Sequence, residues 1–147
     1  MKKQEVPQHP GLFGGRRAVC YALDEGGGYV LAPTAGWNPV NLANRQAWEA
    51  LARELVGIHG EARAGRLSPL AYHMARRQMD AALLARYTGL FRWRVRRHLR
   101  PAIFARLDRE LLARYAEVLQ LSVEELCRLP EAPEIEVPEI DETEESR

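Results

Sequence analysis

One glycine constrains this chain more than any other residue. Gly89 stands between two stretches that each repeat apolar residues at helical spacing, and it demands a sharp reversal there. A glycine just past a helix end adopts the left-handed conformation without a Cβ penalty. Ahead of it, Asp80 offers a carboxylate cap, and Leu83, Leu84 and Tyr87 are expected to face inward. Behind it, a helix is expected from Phe91 to Leu99, ended by Pro101 because proline disfavours helical geometry in the residue before it. The second helix carries Arg92, Arg94, Arg96, Arg97, Arg100 and Trp93. With Val95 pointing inward and about 100° per residue, Leu99 lies about 40° away, on the same side. Trp93, Arg97 and Arg100 then fall at about 160°, 200° and 140°, and Arg96 at about 100°, so a cationic wall faces away from the apolar seam.

Charge is segregated along the chain. Residues 61–114 hold thirteen arginines against four acids, whereas residues 115–147 hold two arginines against eleven acids. The net charge of +1 hides this division. A basic middle followed by an acidic end fits a polyanion-binding module with a solvated tail. No apolar run approaches the ~20 residues needed to span a bilayer, and the first residues lack a secretory core, so a cytoplasmic protein is expected. Cys20 and Cys127 are far apart and are read as reduced and structural.

Before the arginine-rich region, residues 1–15 read as a loose start, broken by Pro7, Pro10, Gly11, Gly14 and Gly15 and anchored at most by Leu12 and Phe13. Residues 16–23 and 29–32 alternate as strands around an Asp-Glu-Gly-Gly-Gly turn, with Pro33 as the stop. The reading is a β-hairpin. Val19, Tyr21 and Leu23 line one face, and Ala18, Cys20 and Ala22 the other. An isolated hairpin is marginal in water, so this one needs cover from helices or from a partner's hairpin. Trp37 is read as packing between the hairpin and the helix that follows. That long helix is expected from about Asn44 to Ala64, weakened by Gly57 and Gly60.

After it, Ser68-Pro69 opens a helix, with the serine expected as side-chain cap. Residues 102–105 read as an apolar connector. Asp108 opens a further helix, and Ser122 with Glu125 has capping-box spacing for a last one, whose inner edge is expected at Val123, Leu126 and Cys127. Beyond Leu129 the chain is proline-broken and acidic, and disorder is expected, with the tail free to fold back over the arginine helix. The fold class is therefore mainly α: an N-terminal β-hairpin and long helix (1–67), a compact helix-turn-helix bundle of about five helices (68–129), and an acidic tail (130–147).

Ala85, Gly89 and Val95 carry a resemblance. Alanine lets two helices approach, glycine makes the turn and valine inserts between them. With Leu112, Ala116, Leu119, Val123 and Leu126 spaced as in the last two helices of that family, residues 69–129 resemble the phage-repressor type of helix-turn-helix domain. The chain departs from that pattern at His98, where the family carries an aliphatic side chain, and at the uncapped start of its second helix. The whole chain also resembles a group of bacterial proteins that join a hairpin, a long helix and this module; that likeness implies no activity.

The resemblance implies that Arg92, Trp93, Arg96, Arg97 and Arg100 meet the major groove of double-stranded DNA or its walls, and that Arg76, Arg77 and Arg106 contact the phosphate backbone. It also implies a homodimer matched to paired half-sites. The alternatives are a solvated arginine face and an acidic protein partner, including an antitoxin-like pairing. Trp93 is read as packing on the N-terminal segment or touching a partner. The four histidines, His9, His59, His73 and His98, match no zinc spacing. His98 among arginines is expected to disfavour its charged form. No nucleophile elbow, phosphate loop or metalloprotease helix appears, so neither enzyme activity nor a cofactor is expected.

Overall fold

The computed structural model describes residues 1–9 and 16–134. The expectations for Leu12, Phe13 and the acidic segment 135–147 lie outside the described residues. The described residues are mainly helical: after a 3-10 turn at Lys3–Glu5 come a two-stranded antiparallel hairpin, one long α-helix and six short α-helices, in that order. It divides into two compact units, one of Met1–Leu51 and one that begins at Ala52; the division falls within the long helix.

In the first unit, β1 (Ala18–Leu23) and β2 (Tyr29–Thr34) pair with Tyr21 opposite Leu31 and Val19 opposite Pro33. β2 runs through Pro33 instead of stopping there. In a two-stranded sheet both strands are edges, so a missing N–H on the outer side costs no ladder bond. The first nine residues are not loose. Leu23 N donates to Met1 O at 3.0 Å, Gln8 Nε2 donates to Pro33 O at 2.8 Å, and His9 N donates to Gly36 O at 3.2 Å. This places Val6 in a small cluster with Ala22, Ala32 and Cys20. The small-residue face of the hairpin is thus the buried one. Gly36 is held to glycine by geometry: its φ is +136° and a Cβ would lie 2.7 Å from His9 O.

The long helix, α1, spans Asn38–Arg63 and starts six residues earlier than the apolar periodicity suggests, because Asn38-Pro39 provides an opening with proline in the first turn. Trp37, just before it, is 54% exposed and does not serve as interior packing.

In the second unit, α2 (Pro69–Arg76), α3 (Ala81–Thr88), α4 (Arg92–His98), α5 (Pro101–Phe104), α6 (Arg109–Leu119) and α7 (Val123–Cys127) enclose one core of Leu70, Leu84, Ala85, Val95, Phe104, Tyr115, Ala116, Leu119 and Leu126. The caps follow the sequence in three places. Asp80 Oδ1 accepts from Ala82 N and Leu83 N, Asp108 Oδ1 accepts from Leu111 N, and Ser122 and Glu125 form the reciprocal box. The expected connector 102–105 is instead largely the one-turn helix α5, opened by Pro101. Cys127 is exposed, so the inner edge of α7 rests on Leu126, with Val123 packed half-buried beside it.

The inner face of α3 is Leu84, Ala85 and Thr88; Leu83 and Tyr87, expected inside, are 37% and 64% exposed. Thr88 can be buried because its hydroxyl donates to Leu84 O at 2.7 Å. Residues 128–134 are fastened to the helices as well. His59 Nε2 and His73 Nε2 donate to the carbonyls of Pro130 and Arg128 at 2.8 and 2.9 Å, and Glu134 N donates to the Tyr72 hydroxyl at 3.0 Å. The expected disorder therefore does not begin at Leu129; hydrogen bonds to a buried tyrosine and two histidines outweigh the proline-rich composition there.

Gly57 and Gly60 lie inside α1, and a Cβ at either meets nothing within 4 Å. Gly57→Ala and Gly60→Ala are each expected to stabilise the protein by about 0.5–1 kcal/mol, raising the thermal midpoint by a few degrees. Calorimetry checks this; a fall in the midpoint would mean that the helix needs its glycines.

Candidate nucleic-acid interface

The cationic surface starts from the way α4 is fastened. A seven-residue helix has little intrinsic stability, so its position is set by what it buries. Val95 is fully buried in the core, and His98, one turn on, is buried too. Leu99 is half-buried. The inward stripe is therefore Val95–His98 with Leu99 at its margin, rotated slightly from the Val95–Leu99 stripe expected from the sequence.

His98 is accommodated by pairing. Its Nδ1 hydrogen-bonds the Tyr115 hydroxyl at 2.8 Å, and the two rings meet edge to face with centroids 5.9 Å apart. Tyr115 is fully buried on α6. An aliphatic side chain at 98 would leave that hydroxyl with no partner inside the core. Burial is the main reason the His98 pKa lies below its ordinary value, and Arg94 and Arg97 push it the same way. Burial likewise pushes the Tyr115 hydroxyl up to about 12. Both groups are thus neutral at physiological pH, which the core requires.

The end of α4 is held by a second polar contact. Ser68 occupies the cap position of α2 but makes no side-chain cap bond. Its hydroxyl donates to His98 O at 3.1 Å and its N–H donates to Leu99 O at 2.8 Å. The last carbonyls of a helix have no intrahelical donor, and this buried serine supplies two. At the other end, Gly89 has φ +67° and closes α3 in the left-handed conformation expected of it.

With that side fixed, Arg92, Trp93, Arg94, Arg96 and Arg97 all point away from the core and are exposed. Arg100, at the cap position of α5, and Arg106, after it, are exposed too. Among the described residues, no carboxylate lies within ion-pair distance of any of these arginines. Arg92 and Arg96 lie near enough to Asp80 to help hold its carboxyl below the usual range, although the N–H groups of Leu83 and Ala82 contribute more directly to that cap.

Trp93 is 61% exposed. It forms a groove of about 350 Å³ with Arg94, Arg97, His98, Ile103, Arg106 and Leu107. Arg94 lies on the flank of α4 in helical projection. Its position 100° from Val95 on the opposite side to Arg96 places it on the wall that α5 extends. Tyr87 and Phe91, exposed on either side of the Gly89 turn, were likewise missed.

Arg76 and Arg77 stand apart from this wall, at the end of α2. Arg76 is paired with Glu134 at 2.7 Å, and Arg77 is the exposed C-cap. Among the described residues, no group of three or more His, Cys, Asp or Glu is placed to hold a metal ion, and no helix is long and apolar enough to cross a membrane. Comparison of the chain with protein families, curated proteins and solved structures found no match.

Two buried histidines set the pH response. His73 is held below its ordinary pKa by burial first, with Arg76 adding to that and the Arg128 carbonyl and Glu125 opposing it. His98 is lowered as described. The unfolded chain therefore binds protons that the folded chain does not. Stability is full above the ordinary histidine value of 6.5 and falls as pH drops toward the lowered folded values. The capping carboxylates Asp80 and Glu125 act only in a more acidic window, as pH falls from their ordinary values of 3.8 and 4.5 toward the lowered folded ones. The thermal midpoint is expected to be lower at about pH 5.5 than at about pH 7.5, and the slope to be flatter in His73→Gln/His98→Gln. A midpoint that rises on acidification would contradict the assignment.

Proposed function

We propose that the helical unit binds duplex DNA with α4 as its contacting helix. The observation that carries this is the combination on α4: Val95 and His98 are locked in the core, while Arg92, Arg96 and Arg97 stand exposed with no carboxylate within ion-pair distance among the described residues, Asp80 being the acid whose charge Arg92 and Arg96 feel. A surface this cationic and this short of counter-charges concentrates a polyanion. Arginine suits DNA in particular, since its planar fork clamps a phosphate or bonds guanine O6 and N7 together.

Arg94 and Arg106, across the groove from Trp93, extend the contact toward α5 as backbone-positioning groups. Arg77 belongs to the same class, and Arg100 continues the α4 wall. Arg76 is the weakest member. Its exposed pairing with Glu134 is worth only ~0–1 kcal/mol and yields to a phosphate, but the exchange offsets part of the gain. The protein is proposed to act as a DNA-binding regulator of transcription in the form of a homodimer, because one short helix in one groove reads few base pairs.

Fluorescence anisotropy with a random duplex across a salt series tests this. Binding is expected at low salt, with log affinity falling linearly against log salt. Arg96→Ala/Arg97→Ala is expected to weaken binding by about 10- to 100-fold and to reduce the slope by roughly two. Absence of binding by the folded protein at low salt would overturn the proposal and turn attention to an acidic protein as the partner of this face.

A further inference from the structure

The hairpin leaves its larger side uncovered. Val19, Tyr21 and Leu23 of β1 share a face with Pro33, Leu31 and Tyr29 of β2. Val19 is 64% exposed, Tyr21 76%, Leu31 63% and Tyr29 81%. No charged residue interrupts this face. The opposite face buries only Ala22 and Ala32 fully, with Val6 and Cys20 beside them. Two alanines and a valine are too little apolar area to hold a two-stranded sheet in water.

From this we infer that the hairpin face is a two-fold interface with a second copy of the same chain. Two tyrosines, a leucine, a valine and a proline at these exposures offer roughly 500 Å² per copy, or roughly 1,000 Å² for the pair, which meets the lower limit for a specific interface. Affinity in the micromolar range is expected at that size. Each edge of the hairpin is interrupted at one point, since Leu23 N already donates to Met1 O and Pro33 has no N–H to offer. The proposed contact is sheet-on-sheet packing of the two faces.

Charge selects the direction of the symmetry axis. Arg16 and Arg17 lie exposed at the open end of the hairpin, and Asp24 and Glu25 lie exposed at the turn end. An axis along the strands brings the acids of both copies together. An axis across the strands, between the two faces and through Tyr21, brings opposite charges together. That axis brings the open end of one copy, with Arg17, to the turn end of its partner, with Glu25. It also sets Tyr21 against the partner's Tyr21, Val19 against the partner's Leu23, and Pro33 against the partner's Tyr29. Each large side chain then meets an apolar neighbour.

The inference rests on the hairpin alone and holds independently of DNA binding. Its test is the mass of the full chain by sedimentation velocity between about 1 and 100 μM, the range set by a micromolar interface. The unmodified protein is expected to reach the mass of two copies within that range. Tyr21→Thr/Leu31→Thr keeps strand-forming residues and is expected to give the mass of one copy with an unchanged circular dichroism spectrum. Arg17→Glu is expected to weaken association, and Arg17→Glu/Glu25→Arg to restore it. Glu25 is the better turn position to exchange, since Asp24 also accepts from Gly28 N to shape the turn. A one-copy mass for the unmodified protein at the highest concentration would overturn the proposal. So would a two-copy mass that persists in the threonine variant, or association that strengthens on Arg17→Glu alone.

Discussion

A buried hydrogen bond between a histidine and a tyrosine is the constraint on which the helical unit turns. His98 and Tyr115 come from α4 and α6, and each carries a polar atom into a core otherwise built of leucine, alanine, valine and phenylalanine. Neither can be buried alone without a cost of about 1–3 kcal/mol. Together they fix the rotation of α4 about its own axis. An aliphatic pair would fill the same space, but it would tolerate several rotations; a 2.8 Å bond between two particular atoms does not. Ser68, bonded to the carbonyls of His98 and Leu99, holds the end of the same helix. The direction in which Arg92, Arg96 and Arg97 point is a consequence of these contacts.

The same polar economy recurs at the far side of the unit. Tyr72 is fully buried with His59 and His73 at its edges, and all three side chains take up backbone groups between Arg128 and Glu134. Three of the four histidines are thus structural, and two of them are held neutral by burial. The fold relies on uncharged histidines at pH 7 and is expected to lose stability in acid for that reason.

Much of this was legible in the sequence where a residue type has one dominant local use. Gly89, Asp80, Asp108 and the Ser122–Glu125 pair act as their local chemistry requires, and Val95 inserts into the core. The hairpin was legible from alternation, although which face is buried was not. Alternation separates Val19 and Tyr21 from Cys20 and Ala22 but carries no information about what lies opposite, and the larger residues proved to be outside. Ser68 was misleading for a related reason: its frequent local role is a cap, and it is instead committed to a partner 30 residues away. The disfavoured charge of His98 was legible, but its partner, 17 residues away, was not. The outward direction of Trp93 was legible from the helical projection, but the recruitment of Arg94 and Arg106 to its groove depends on where α5 lies, and no local pattern specifies that.

The proposed presentation of arginines to DNA by a rotationally fixed α4 can be followed through the arginine side-chain Nε–Hε signals of the full chain, by NMR during titration with a short duplex. The signals of Arg92, Arg96 and Arg97 are expected to shift first and furthest, while the buried His98 ring keeps its hydrogen bond to Tyr115. Shifts confined to arginines outside α4, such as Arg16, Arg17 or Arg53, or loss of the His98–Tyr115 bond on binding, would contradict it.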